Sequence, residues 1–479
     1  MINYATGSVD VAVIGGGVAG LAAAVSALNA GASVLVMEAS STIGGVIKTE
    51  VCDGFQVEHG PTSMGGSSAT LRLLDELGLL SQVVTPASTA KRRYVVRDGV
   101  MHALPSTPPA LLRSRLLSAR AKARLLVEPL IARGTSETDE SLATLVRRRF
   151  GQEVLDYVVD PFVSGVCAGD ATRLSKRFTL RTLDELEQKH RSVILGAIAR
   201  ARRGAAPASP HIISFRDGMC QLPEALGRAV ETANDGAVLV NARVTQVSRN
   251  PDTSWEVRHE SNGQVHNVEA GAIICALPAY ALPAVSWPEE WSRSVSEMSA
   301  ARYAPIATVA LGFLQSQVRH PLDGFGVLLP SVEKGRILGA LFNSSMFADR
   351  APPGHCLVTA FVGGSRMSAA PSNTEAIDAA VSELMPLLGI RGDPAMTSVA
   401  RWDAGIPQLE LGHEIVQMAA TNIAVQSTNA FFTGSYLSGV AIGDCLAHGS
   451  ETGDRAATAA LRSRGEPCNI LARMSDERL

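Results

Sequence analysis

The sequence predicts an α/β fold: a parallel sheet wrapped by helices, a second domain built on an antiparallel sheet, and a helical insertion between them. Three observations predict it. A glycine-rich turn joins an apolar strand to an alanine-rich helix near the N-terminus, apolar runs alternate from about 304 to 361, and helical patterns, basic in two stretches, run from the prolines at 105–109 to about 203.

The run Asp10-Val-Ala-Val-Ile-Gly-Gly-Gly-Val-Ala-Gly20 comes first. Val11 to Ile14 suits a buried parallel strand, Gly15, Gly17 and Gly20 give the G-x-G-x-x-G spacing, and Leu21 to Ala30 continues as a helix. Gly15 permits a tight turn, Gly17 lets backbone approach a pyrophosphate, and Gly20 lets helix and strand pack closely; the helix N-terminus faces the phosphates. The second strand, Ser33 to Met37, ends at Glu38. A carboxylate there accepts a ribose 2′-hydroxyl and repels a 2′-phosphate, so NADP is disfavoured and FAD or NAD remains. This is a Rossmann-like dinucleotide site. A second glycine pair, Gly44-Gly45, follows close behind the acid, which NAD dehydrogenases have no general need for.

A chain of 479 residues is too long for one compact core, so two or three domains are expected. We expect a discontinuous dinucleotide domain (1–86, 211–290 and 411–479), a helical insertion (91–204) and a substrate-binding domain (291–410). With 43 Lys plus Arg against 46 Asp plus Glu, no global field argues for nucleic acid, and none is expected as a partner. Seven cysteines (Cys52, Cys167, Cys220, Cys275, Cys356, Cys445, Cys468) show no C-x-x-C spacing, which fits a reducing compartment. The ten histidines form no H-x-x-x-H or Cys/His cluster, and no metal is expected. Eight residues precede the first strand, too few for a signal or transit peptide, and no apolar stretch reaches the roughly 20 residues of a spanning helix. The expected location is cytoplasmic.

The remaining elements follow in order. Leu71 to Leu80 reads as an amphipathic helix, and Arg93 to Gly99 as a strand and turn that Pro105, Pro108 and Pro109 end. Within the insertion, Arg113 to Arg133 carries six basic residues against Glu128 alone, interleaved with Leu116, Leu117, Leu125, Leu126 and Leu130; Lys189 to Arg203 is similarly basic. Such a pattern serves either as a solvated face or as a helix lying on an anionic membrane surface. After a linker at Ala205 to Pro210 come a helix at Leu222 to Ala233 and strands at Ala237 to Val240, Val244 to Ser248, Trp255 to Glu260 and Ala272 to Cys275. Thr308 to Phe313, Phe325 to Leu329, Ile337 to Phe342 and Leu357 to Val362 suggest an antiparallel sheet with one covered face. Finally Phe431 to Tyr436 leads through Gly439-Val-Ala-Ile-Gly443 into a helix reaching Ala460.

Several separated stretches resemble the protoporphyrinogen oxidase family of heme biosynthesis, within the flavin amine-oxidase superfamily. They are Glu58-His-Gly-Pro61, Asp160-Pro-Phe-Val-Ser-Gly-Val-Cys-Ala-Gly-Asp170, Leu186-Glu-Gln-Lys-His-Arg-Ser-Val-Ile194, Gly324-Phe-Gly-Val-Leu328, Phe361-Val-Gly-Gly-Ser365, Ile406-Pro-Gln408 and Tyr436-Leu-Ser-Gly-Val-Ala-Ile-Gly443. The segment Asp160 to Asp170 is the most diagnostic, because generic amine oxidases share the two glycine-rich ends but not this centre. The match runs nearly end to end. It departs at Thr42 and Val46, where many superfamily members are basic, at Asp217, where glycine is common, and at Leu409, where an aromatic is frequent.

The resemblance implies that Gly15, Gly16, Gly17, Ala19, Gly20, Glu38, Ala39, Gly44, Gly45, Gly60 and Pro61 hold FAD, and that the chain around Val244 passes the adenine. Gly439, Val440 and Ala441 would lie against the pyrimidine end of the flavin, where a helix N-terminus favours negative charge at N1 and O2. Arg93 would pair with a substrate propionate. Gly169 would offer its carbonyl to a pyrrole N–H, with a side chain there filling tetrapyrrole space. Leu328, Leu341 and Phe361 would sandwich the macrocycle; from periodicity alone they read as core. No catalytic acid or base is implied: hydride leaves a methine-bridge carbon for flavin N5, and a pyrrole nitrogen then gives up its proton. Three rounds remove six electrons, and with O2 as acceptor three hydrogen peroxides form.

The implied reaction is oxidation of protoporphyrinogen IX to protoporphyrin IX. The first alternative is coproporphyrinogen III, whose four propionates demand more cationic lining; Lys334, Arg336 and Arg350 fall at expected turns, which favours the dicarboxylate. A flavin amine oxidase would need a pocket for a cation, and a non-catalytic flavin-binding protein would keep the fold alone. Beyond porphyrinogen and O2, the candidate partners are the inner face of a membrane, held peripherally, a ferrochelatase, and a second copy of the chain as a homodimer.

Overall fold

The computed structural model describes residues 7–105, 107–134, 139–202, 211–233 and 235–463; the expected linker at Ala205 to Pro210 and Cys468 lie outside them. Ser8–Ile14 is the second of four hydrogen-bonded parallel neighbours: Val34–Met37 on one side, Gln264–Cys275 on the other, with Gly236–Leu239 beyond Val34–Met37. Ala430–Phe432 adds a fifth parallel strand against Ile273 to Cys275. The run Val11 to Ile14 is apolar at every position because both faces of this sheet are covered. Val11 and Val13 pack among the helices Val18–Asn29, Gln221–Thr232 and Ile442–Ser463, whereas Ala12 and Ile14 face Ser292–Ser299 and Glu414–Gln426. The N-terminal half of Gln264–Cys275 continues as an antiparallel meander with Trp255–Ser261 and Ala242–Arg249.

The second sheet has seven strands in the order Met396–Pro407, Tyr303–Leu314, His355–Gly363, Ile337–Leu341, Gly324–Leu328, Arg92–Arg97 and Val100–Ala103. The helix Asn373–Leu388 covers one face through Ala376, Ala379, Ala380, Leu384 and Leu388. Two expectations are corrected here. The strand at Arg93, placed by sequence at the head of the helical insertion, pairs in parallel with Gly324–Leu328 and is part of this sheet. Its alternation carries Tyr94 and Val96 into the same covered core, a partner that local sequence does not name. Met396–Pro407 was not expected as a strand; it is an edge strand with Arg401 and Asp403 exposed, so its apolar signal is weak.

The insertion is helical from Pro108–Arg113 to Val193–Arg202, around Leu142, Leu145, Val146, Leu155 and Val163. The basic stretch from Arg113 to Arg133 is not one amphipathic helix. It breaks after Arg113 and restarts at Ala119, where the Ser118 hydroxyl caps the new helix by accepting from the Ala121 N–H. The break turns Leu116 and Leu117 inward, while Leu126 and Leu130 remain 76% and 86% exposed.

Candidate cofactor and substrate site

Gly15 adopts a φ of +107°, and a Cβ on Gly20 would stand 2.1 Å from the Gly15 carbonyl oxygen. Both positions therefore require glycine, one for the turn and one for helix packing. The Gly16 N–H donates to Glu38 Oε2 and the Ser40 N–H to Oε1, each at 2.8 Å, which fixes the half-buried carboxylate at the end of its strand beside Ala39. The Ala242 N–H donates to the Glu38 carbonyl, bringing the strand that carries Val244 alongside. Gly44 and Gly45, at φ of +107° and +60°, fold back on the first loop: the Gly44 N–H donates to the Gly16 carbonyl at 2.8 Å, and a Cβ on Gly45 would lie 3.6 Å from Gly17 Cα. A Cβ on Gly17 would meet nothing within 4 Å. Two glycine loops thus stack into a trough whose exposed lining is backbone, the surface a pyrophosphate needs.

The helix Ile442–Ser463 comes from the far end of the sequence and lies against Val18–Asn29 with almost no space between backbones. Cβ atoms on Gly449 and Gly453 would stand 2.3 and 2.1 Å from the carbonyl oxygens of Ala19 and Ala23. The matched order makes the helices parallel. Ile442 precedes Gly449 by seven residues and Val18 precedes Ala19 by one, so the later helix projects about 9 Å further at its N-terminus. Two positive helix ends therefore face the same side in staggered steps, with Gly439, Val440 and Ala441 leading into the further one. These residues fit FAD: the nearer end is suited to phosphate and the further one to an electron-accepting ring.

Four of the expected substrate residues, Arg93, Leu328, Leu341 and Phe361, share the face of the seven-stranded sheet opposite the helix Asn373–Leu388. Register places Arg93, Gly326, Leu341 and Thr359 side by side in one row, and Leu328, Gly339, Phe361 and Thr308 in the next. Directly paired residues point to the same side, so Leu328, Leu341 and Phe361, all three half-buried, alternate with Gly326 and Gly339, whose Cβ positions are filled by neighbouring backbone at 2.2 and 2.6 Å. Arg93 is exposed and stacks on Phe325 with its guanidinium carbon 5.1 Å from the ring centre; among the described residues no carboxylate lies within ion-pair reach of it. The neighbouring Arg92 is paired with Asp323. The helix Asp160–Cys167 crosses over this face, where a Cβ on Gly165 would stand 2.4 Å from Leu328 Cδ2.

Gly169 differs from expectation. A Cβ there would meet Leu174 Cδ1 at 2.6 Å and Gln408 Oε1 at 2.8 Å, so the space is taken by protein rather than left for a ring. The glycine is still required, because Gln408 Nε2 donates to the Cys167 carbonyl and holds this loop tight.

Several participants gave no signal of their own. Glu58 is 3% exposed; burial pushes its carboxyl up, while the Thr49 hydroxyl and Met219 N–H donate to it. The His59 carbonyl accepts from Trp402 Nε1–H at 2.9 Å and from the Thr308 hydroxyl at 3.3 Å, across 343 and 249 residues of chain. Gly165, Gly326 and Gly339 were legible in principle, since a glycine inside an apolar run marks a close approach.

A backbone trough for a dinucleotide beside an apolar wall with a cation at one edge defines an FAD-dependent oxidoreductase. Residues 18–461 match the family model described as flavin containing amine oxidoreductase, and the chain belongs to that family; its cofactor is FAD. The protoporphyrinogen oxidase of Nicotiana tabacum mitochondria is 32% identical, the alignment covering 93% of this chain and 94% of that one. The coproporphyrinogen III oxidase of Bacillus subtilis (strain 168) is 28% identical over 92% of this chain and 97% of that one. A solved chain from Exiguobacterium sp. 255-15 superposes with a TM-score of 0.78 at 22% identity, covering 95% of this chain and 99% of its own, and shares the fold.

Proposed function

We propose that the chain oxidises protoporphyrinogen IX to protoporphyrin IX with O2 as acceptor. The observation that carries this reading is the single sheet face on which Arg93, Leu341, Leu328 and Phe361 stand. Arg93 orients a propionate by a charge-assisted hydrogen bond. Leu328, Leu341 and Phe361 give apolar contact to a puckered, flexible tetrapyrrole and exclude water. FAD, when bound, supplies the hydride acceptor. The reacting carbon needs placement rather than deprotonation, since the adjacent pyrrole nitrogens stabilise the positive charge and release the proton. That accords with a wall of apolar side chains and one cation.

A dicarboxylate substrate is supported by where two of the three other named cations point, while Lys334 is exposed at a turn. Arg336 pairs with Asp378, on the helix that covers the opposite face, and Arg350 is buried and donates to the carbonyls of Phe215 and Arg216. Neither is left for an additional propionate. We assign cofactor binding to the segments before 86, from 211 to 290 and from 411 on, and substrate binding to 291–410 together with the strands at 92–103.

No described helix is long and apolar enough to cross a membrane. Exposed Leu126, Leu130, Leu195 and Ile198, among Arg120, Arg124, Arg200 and Arg202, support peripheral contact with an anionic surface. The deciding experiment is parallel oxidation of proto- and coproporphyrinogen, followed by porphyrin fluorescence with O2 uptake recorded. Faster turnover of coproporphyrinogen would reassign the substrate, and turnover without O2 uptake would remove the acceptor.

A further inference from the structure

We propose that Trp402, assisted by Thr308, is a positioning residue that fixes the spacing between the cofactor trough and the substrate wall. Both act through the carbonyl of His59. Trp402 Nε1–H donates to it at 2.9 Å and the Thr308 hydroxyl at 3.3 Å, so the acceptor capacity of one oxygen is filled from two strands of the second sheet.

Each side of that peptide group is anchored in a different part of the site. On the cofactor side the next residue is Gly60, where a Cβ would lie 1.9 Å from the Val46 carbonyl oxygen, so the chain rests backbone on backbone against the loop of Gly44 and Gly45. The His59 N–H donates to the Lys48 carbonyl at 2.9 Å, and its ring Nε2 is 2.6 Å from Glu50. On the substrate side Thr308 pairs in register with Phe361, and Trp402 pairs in register with Ile306, in the buried cluster against which Phe361 also packs. A continuous chain of contacts therefore runs from the glycine trough through one carbonyl to the aromatic of the wall.

The consequence is for distance. Hydride transfer requires donor and acceptor atoms about 3–3.5 Å apart, and small misplacement is costly. The two glycine loops fix the cofactor and the second sheet fixes the ring, and the His59 carbonyl is a direct tie between them. This inference rests on the reading that Gly60 and Pro61 face the cofactor and Phe361 the substrate.

The test uses the FAD-loaded full chain carrying Trp402→Phe, which keeps the ring and removes the donor, and Thr308→Val. Amide hydrogen exchange at His59 and Gly60 should accelerate about tenfold in Trp402→Phe and less in Thr308→Val, whose bond is longer; Thr308→Ser, which keeps the hydroxyl, should restore the protection. Anaerobic bleaching of the flavin by protoporphyrinogen should slow by about tenfold in Trp402→Phe, with KM shifting less than about twofold and FAD content unchanged. Unchanged exchange in both variants, or a slower rate that merely follows lost FAD or a raised KM, overturns the proposal. Should wild-type protein fail to bleach with any porphyrinogen, the substrate reading falls, while the exchange measurement still judges the tie.

Discussion

Arg93 is held out by a ring rather than by an acid: it stacks on Phe325 while Arg92 takes Asp323. An unneutralised guanidinium at the edge of an apolar wall is suited to bind a carboxylate that arrives with a ligand. Replacing Arg93 with Ala should raise KM for protoporphyrinogen by about tenfold or more and leave FAD content untouched, because a hydrogen bond between charged groups contributes about 1.5–3 kcal/mol. Steady-state kinetics and the protein's flavin absorbance check both halves; an unchanged KM removes the propionate role. At this scale the sequence was legible unevenly. Gly15, Gly20 and Glu38 were readable because their roles depend on immediate neighbours. Leu328, Leu341 and Phe361 could be named only through family resemblance, since their periodicity is that of core residues. Trp402 could not be named, because its partner lies 343 residues away and a tryptophan in an edge strand has no pattern pointing to a carbonyl.

Between elements, the contact of greatest consequence is the one between Val18–Asn29 and Ile442–Ser463. Gly449 and Gly453, four residues apart, let the two backbones meet, and any side chain there must push them apart. Gly449→Val should lower stability by about 1–3 kcal/mol and weaken FAD retention, because the same displacement moves a helix end out of the trough. Thermal unfolding with and without added FAD measures it; an unshifted midpoint would mean that the helices can slide.

The helical insertion makes a separate prediction through Glu187. Burial by itself would raise this carboxyl, but hydrogen bonds from Arg148, the Gly134 N–H and Arg149 outweigh it and hold it at about 2, against an ordinary 4.5. The folded value lies below the unfolded one, so the stabilisation is complete above about 4.5 and drains away as pH falls toward 2. Helical circular dichroism of the wild type should decline through that window, and Glu187→Gln should lose the Glu187-dependent part of the decline. Strand and helix patterns were readable over most of these elements. Arg92–Arg97 was expected as a strand but not as a member of this sheet, and Met396–Pro407 and the helices Asn373–Leu388 and Glu414–Gln426 were not named, because their places are decided by the sheets they join or cover.

For the molecule as a whole, charge is balanced overall yet uneven in place, with arginines beside exposed Leu126, Leu130, Leu195 and Ile198 on the insertion. We expect sedimentation with anionic vesicles that weakens as salt rises, and loss of that binding in Leu130→Glu with porphyrinogen turnover in detergent preserved. Association indifferent to ionic strength would argue against an electrostatic contribution.

The C-terminal helix also has a bearing on biosynthesis. Residues 442–463 complete a layer begun by the first strand and helix, yet they are translated more than four hundred residues later. At about 5–20 residues per second that interval lasts on the order of 20 to 80 seconds. Throughout it the nascent polypeptide on the ribosome carries an uncovered helix flank and an unfilled sheet margin, so capture of the prosthetic group is expected to wait for the synthesis of residues 442–463, and chaperone engagement should be heaviest before it.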